Sequence, residues 1–208
     1  MMNVMKKKTV KGFTLIEMIV VIGIIIVLLG VLAPSMMAYY QSSRVKATNA
    51  NAKMIYNAAQ TEIMKYVNKD RAATAGNESG FSGTVWFSYQ PGAGNRYSKS
   101  GAYPAPSSLT ETSGASSDVT ATNCNNVISK VNTLVSGANE VCWTVYVENY
   151  IVQGCVSAPS ANSTYIGFYS ANKQQADEPS NVSYSNAGSG GGLSTLSDVV
   201  RRYNPSQD

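Results

Sequence analysis

Hydrophobic residues are distributed along this chain in three different ways. Residues 13–33 (FTLIEMIVVIGIIIVLLGVLA) are apolar on every face, with Glu17 as the single charge. As a helix, a run of that length rises about 30 Å, the thickness of a bilayer's hydrocarbon core. Beyond Pro34 the pattern narrows to one stripe. Ala52, Ile55, Tyr56, Ala59, Ile63, Tyr66 and Val67 recur at spacings of three and four, while Arg44, Lys46, Lys53, Lys65 and Lys69 occupy the other face. This period predicts an amphipathic helix continuing to about Lys69, whose stripe must pack on something, most naturally a C-terminal sheet.

The third pattern is alternation. Residues 84–90 (TVWFSYQ) read as an early strand, and residues 141–157 (VCWTVYVENYIVQGCVS) as two alternating runs around Glu148 and Asn149, a hairpin. With those two residues as the loop, Trp143, Val145, Val147, Tyr150, Val152 and Val156 share the face that packs on the helix. Cys142 then lies opposite Cys155 at a non-hydrogen-bonded site, within disulfide range. Cys124 is left over, and pairings of 124 with 142 or with 155 remain alternatives. Residues 163–170 (STYIGFYS) supply a further strand, and residues 126–135 a short amphipathic helix. Residues 92–95, 103–106 and 111–126 read as connecting loop. Residues 171–192 end in a flexible glycine-rich stretch, after which Leu196, Val199, Val200 and Tyr203 suggest a short terminal helix or a sticky tail. The fold class is α+β: a long N-terminal helix, transmembrane in its first half, on a small antiparallel head of three or four strands.

Composition narrows the chemistry. The chain has 208 residues, a formal charge of +4, three cysteines and no histidine. Without histidine there is no Ser-His-Asp or Cys-His nucleophile system and no His-ligated zinc. The cysteines form no CxxC pair. Lys6, Lys7, Lys8 and Lys11 account for the charge excess, and the remainder is formally neutral. Charge therefore does not indicate a nucleic-acid partner. No phosphate loop, paired-carboxylate motif or calcium loop is present, and Asp177 and Glu178 read as a solvated turn. No enzyme activity, cofactor or metal is expected.

The first 40 residues carry the specific signal. Lysines before the apolar run place the N-terminus in the cytoplasm and the chain beyond Pro34 outside. Glu17 does not suit a plain anchor, because an acid inside an apolar span is costly and usually has a partner. Basic residues, then Gly12, then Phe13-Thr14-Leu15-Ile16-Glu17, then an unbroken apolar helix ending at Pro34, resemble the class III signal of type IV prepilins and pseudopilins. The motif proper covers about 20 residues.

The resemblance implies a pilin-like fold and a set of roles. A prepilin peptidase would cut between Gly12 and Phe13, and the new Phe13 amine would be methylated. Glu17 would pair with the N-terminal amine of a neighbouring subunit during assembly, although the subunit's own amine, one turn away, competes. Gly30 and Pro34 mark the weakest point of the helix, where unwinding on assembly is expected. The implied organisation is a leader (1–12), a transmembrane and assembly helix (13–34), an amphipathic spine (35–70), a globular head (71–170) and a flexible tail (171–208).

The expected partners are other copies of the chain and other pilins in a helical filament, the prepilin peptidase, an assembly ATPase and a membrane platform protein. The precursor would sit in the cytoplasmic membrane with a single span, and the assembled subunit at the cell surface or in an extracytoplasmic filament. Two alternatives remain: a pseudopilin of a type II secretion or DNA-uptake machine and, outside the class, a single-pass membrane-anchored extracellular binding module.

Overall fold

The computed structural model describes residues 12–72, 78–99, 110–111, 118–172, 175–176 and 183–184. The architecture is α+β. Helix α1 (Leu15–Arg71) is followed by strands β1 (Thr84–Gln90), β2 (Gly94–Ser98) and β3 (Thr110–Glu111), helix α2 (Val119–Leu134), and strands β4 (Cys142–Glu148), β5 (Ile151–Ala158) and β6 (Gly167–Ser170). The strands form one antiparallel sheet in the order β3-β2-β1-β4-β5-β6. The chain divides into two compact units, residues 1–40 and 41–208.

In the second unit the stripe does what its period predicts. Ala52, Ile55, Ala59 and Ile63 of α1 are buried, with Val45 and Thr48 before them, and Tyr56 and Tyr66 pack at the margin. They meet Val85 and Phe87 of β1, Trp143, Val145 and Val147 of β4, and Val152 and Cys155 of β5 in one core. Helix α2 adds Ala121, Cys124, Val127, Ile128 and Val131 to it. A second, smaller cluster (Trp86, Cys142, Val156, Ala158, Phe168 and Tyr184) lies on the other face of the sheet. The alternation of strand side chains requires that separation.

Where β6 reaches α1 the backbones nearly touch. A Cβ on Gly167 would lie 2.1 Å from the Thr48 carbonyl carbon, so only glycine fits there. Asn49 exploits this approach. Its Oδ1 accepts from the Phe168 and Ala176 amides at 2.9 and 3.3 Å, and its Nδ2 donates to the Ala176 carbonyl at 2.7 Å. One helical side chain thereby satisfies backbone groups that would otherwise lie at a sheet edge without partners.

Three expectations need correction. Among the described residues the sheet has six strands rather than three or four, because β2 and β3 come from residues read as loop. In β2 only Tyr97 is buried, so alternation is too faint to see. Helix α2 begins at Val119, not near 126. Its first turns bury Thr120, Ala121, Asn123 and Cys124, small or polar residues that leave no apolar stripe, and Asp118 caps them by accepting from the Thr120 amide at 2.8 Å.

The third correction concerns the hairpin register. The loop is Asn149 and Tyr150, with φ of 50° and 66°, closed by the pair Glu148–Ile151. Two consecutive positive φ values define the type I′ geometry that matches strand twist. Further along, Tyr146 pairs with Gly154 but Val147 with Val152, so Gln153 is an extra residue in a bulge. Past the bulge the faces exchange: Cys155 turns into the helix-facing core and Val156 away from it. Cys142 therefore stands opposite Ala158, and Cys155 opposite Val145. The expected 142–155 bond is not made, and all three cysteines are buried free thiols. Burial raises the thiols of Cys124 and Cys155 well above the ordinary range and that of Cys142 to about 11.

Two residues of α1 hold the bulky Tyr150 in its unfavourable conformation. Gln60 donates to the Tyr150 carbonyl at 3.0 Å and accepts from the Val152 amide at 2.6 Å. Asp70 accepts from the Tyr150 hydroxyl at 2.6 Å, the Ser79 amide at 2.8 Å and the Ser79 hydroxyl. Burial works to raise the Asp70 carboxyl, but the Ser79 and Tyr150 donors and the Lys69 charge outweigh it and hold the group below its ordinary value.

The terminal helix suggested around Leu196 to Tyr203, the turn at Asp177 and Glu178, the loop at 103–106 and most of the leader lie outside the described residues.

Candidate functional site

Residues 12–40 are the part of the chain whose chemistry points outward. Leu15 opens α1, and residues 12–14 precede it in irregular conformation. The Gly12–Phe13 peptide is thus presented outside the helix, with Phe13 81 % exposed. A proteolytic site needs an accessible backbone free of helical hydrogen bonds, and this junction has that form.

Thr14 and Glu17 set where the helix begins. The Thr14 hydroxyl accepts from the Glu17 amide at 3.3 Å, and Glu17 Oε2 accepts from the Thr14 amide at 2.7 Å. The Thr14 hydroxyl also donates to the same Oε2 at 2.7 Å. This is a reciprocal capping box: two amide donors that would lack partners at a helix N-terminus are satisfied together. Its sequence signature is Thr-x-x-Glu at residues 14–17. The acid is therefore not idle before any partner arrives. Because both Thr14 bonds go to Oε2, the Oε1 lobe has no hydrogen bond among the described residues. The negative charge at the positive end of the helix dipole is favourable.

From Leu15 to Tyr40 every residue of the helix is exposed among the described residues. Its most apolar window has a mean hydropathy of 3.1 and is 0 % buried. Keeping one aliphatic side chain in water rather than burying it costs about 1.5–3 kcal/mol, so along this run the total is on the order of tens of kcal/mol. The segment requires an apolar surrounding, and it is long enough to cross a membrane.

The helix is continuous through Gly30 and Pro34. Pro34 has no N–H to return to the Gly30 carbonyl. One turn is reinforced by Ser35, whose hydroxyl donates to the Leu32 carbonyl at 2.9 Å. A Cβ on Gly23 or Gly30 would meet nothing within 4 Å, so neither glycine is there to admit another part of the same chain.

Of the residues singled out in the sequence, Gly12, Phe13 and Glu17 fall within one helix start, and Gly30 and Pro34 lie in one later stretch of the same helix. Cys142 and Cys155 are kept apart by the sheet. Among the described residues there is no cluster of histidine, cysteine and acidic side chains fit to hold a metal.

The family model described as the prokaryotic N-terminal methylation motif matches residues 7–33. The chain carries a type IV pilin-like class III signal. The match spans the junction, the capping box and most of the uncovered apolar helix, so the motif and the site coincide. No curated protein and no solved structure matches the chain. The motif and the apolar helix together support a type IV pilin-like, membrane-anchored precursor.

Proposed function

We propose that the chain is the precursor of a structural subunit of a type IV pilus-like filament. The observation that carries this reading is the coincidence of the methylation motif at residues 7–33 with a helix that is apolar on every face and exposed along that run among the described residues. Residues 1–12 act as the leader, and a prepilin peptidase cuts between Gly12 and Phe13. The Phe13 amine is then methylated, and the mature chain polymerises through residues 13–34, with 35–70 as spine and 71–170 as head. An assembly ATPase and a membrane platform protein drive the process, and the subunit itself performs no catalysis.

The chemistry of the cut follows from charge. The leader carries Lys6, Lys7, Lys8 and Lys11, which hold the N-terminus on the cytoplasmic side. Cleavage removes all four and leaves an apolar Phe13 bearing an amine at the positive end of a helix dipole. That amine needs a negative partner. The Oε1 lobe of Glu17 can supply one, on the same subunit or a neighbour, while Oε2 keeps the helix capped. In an apolar bundle an unpaired amine or carboxylate is costly, so the pair also fixes the axial register of the helices.

Mass spectrometry of the intact protein and its N-terminal peptide, from native membranes and from sheared surface material, tests the reading. The expected chain begins at N-methylated Phe13 and is recovered in the sheared fraction. A chain retaining Lys6 to Gly12 in cells with an active prepilin peptidase would overturn it.

A further inference from the structure

Helices α1 and α2 leave between them a groove of ≈ 410 Å³, lined chiefly by Glu62, Lys65, Tyr66, Lys69, Asn126 and Lys130. Three cations and one acid give it a net positive charge. Glu62 is only 7 % exposed and is bridged to Lys65 at 2.6 Å. The Lys65 side chain is itself 64 % exposed, so its remaining protons face solvent. The Lys69 ammonium lies 5.6 Å from the centre of the Tyr66 ring, and Lys130 is exposed. One buried acid therefore leaves an excess of two lysines around a cavity walled by an aromatic ring and an amide.

We infer that this groove receives the acidic hairpin end of a second copy of the chain. The proposal rests on the filament-subunit reading and adds to it a specific contact between heads. Residues 44–71 carry six basic and two acidic side chains, whereas residues 72–208 carry six and nine, so charge is segregated within one molecule. Glu148 is half-exposed at the β4–β5 turn, and Glu78 is exposed and close enough to Tyr150 for its charge to help raise that phenol. Both sit beside the hairpin that α1 grips through Gln60 and Asp70, whereas the groove is bounded by the Glu62, Lys65, Tyr66 and Lys69 row that faces α2. The two surfaces thus lie on different flanks of α1, and the groove of one copy is free to meet the hairpin end of the next. Two different, complementary patches on one chain make a heterologous contact, the type that propagates head to tail instead of closing on itself. Glu62 inside the groove disfavours a polyphosphate strand, which would bring charge against it along its length, more than it disfavours one or two carboxylates.

A zero-length carbodiimide, which joins a lysine to a carboxylate only where they touch, provides the test. Membranes and sheared filaments containing the full chain are treated and the linked peptides sequenced. The expected product is a dimer-sized species in which Lys65, Lys69 or Lys130 is joined to Glu78 or Glu148. The double variant Lys69→Glu with Lys130→Glu should lower its yield about five- to tenfold, and adding Glu78→Lys with Glu148→Lys should restore it. Dimers linked only elsewhere, groove lysines joined to a different protein, or a groove that retards duplex DNA and forms no lysine–carboxylate link would each overturn the proposal. N-terminal peptides from the same samples separate the two readings. Methylated Phe13 without the cross-link removes the docking contact and leaves the filament subunit. The cross-link on chains that keep their leader does the reverse.

Discussion

Helix α1 passes through two burial regimes, and the contrast between them divides the molecule's tasks. Residues 15–40 are exposed at every position, although this is the most apolar part of the chain. Residues 41–71 are far more polar, yet Val45, Ala52, Ile55, Ala59 and Ile63 are each fully buried. Within one helix, burial here tracks the periodicity of apolar positions rather than their number. A stripe can be covered by one sheet, whereas an all-round apolar surface can be covered only by a surrounding medium or by other copies. The second region packs within the head, and the first presents apolar surface that a surrounding medium or another molecule must cover.

The sharpest way to break that contrast is to truncate one side chain in the core on which the stripe packs and one in the exposed apolar run. Trp143 is fully buried, donates its indole N–H to Asn132 and to the Ala138 carbonyl, and meets Phe87 edge-on at 6.2 Å. Trp143→Ala should cost the head about 3–5 kcal/mol. Ile25→Ala, in the uncovered helix, should leave the same transition unmoved. The readout is the melting of the near-ultraviolet circular dichroism of the full chain in detergent, followed for Trp143→Ala through its tyrosines and Trp86. If Ile25→Ala destabilised the head comparably, the two regimes would not be separate.

A smaller effect sharpens the buried side of the comparison. Asn49→Ala removes the group that serves the amides of Phe168 and Ala176 and the Ala176 carbonyl. The expected loss is about 1–3 kcal/mol, with faster amide exchange at Phe168 and Ala176 than at the Trp143 and Val145 amides in the centre of the sheet. Uniform exchange across the sheet would show that Asn49 does not hold that edge.

The same contrast explains what could be read from the sequence. The helix from residue 15 to 71 was legible because both of its patterns are long, one continuous and one periodic. The hairpin was legible as a hairpin, but its register was not. Tyrosine at positive φ carries no turn signature, and Gln153, one extra residue in β5, reverses every face beyond it. The loop at Asn149 and Tyr150 already moves Cys155 away from Cys142, and that extra residue turns the two thiols onto opposite faces. Strand β2 and the start of α2 were invisible because the side chains they bury are few, small or polar. The hold of Asp70 and Gln60 on the hairpin could not be foreseen, since Tyr150 lies 80 positions from Asp70 and 90 from Gln60. At the candidate site the motif at residues 7–33 was legible, because it is local in sequence. The capping role of Thr14 was available in the same letters.

Thr14 allows the uncovered region to be perturbed without touching the head. Thr14→Ala removes half of the capping box and should cost about 1 kcal/mol of helix stability at the first turn. Amides of residues 16–18 should exchange several-fold faster in detergent, while those of 55–63 keep their rates. Thr14→Ser should behave as the parent chain, because the hydroxyl is what matters. Protection unchanged in Thr14→Ala would mean that the detergent, not the cap, sets where the helix begins.

The mildest probe is acid, read on the head. Burial pushes the Asp118 carboxyl up, but the Lys99 ammonium, the Tyr97 hydroxyl and the Thr120 amide outweigh it and bring the group down to about 2, from an ordinary 3.8. A carboxyl depressed on folding contributes stability that is complete above its unfolded value and is lost as pH falls through its folded value. The head's melting temperature should therefore be insensitive to Asp118 at neutral pH and decline between about pH 3.8 and about pH 2. Asp70, also depressed, adds to the decline in the same direction. Asp118→Asn keeps a capping oxygen for the Thr120 amide but has no proton to gain, so its acid limb should be shallower than the parent's, even if its melting temperature at pH 7 is lower. Since Asp118 caps α2, its share of the acid limb should be visible in the exchange of residues 120–124. A parent and an Asp118→Asn chain with parallel acid limbs would show that the cap contributes through geometry and not through charge.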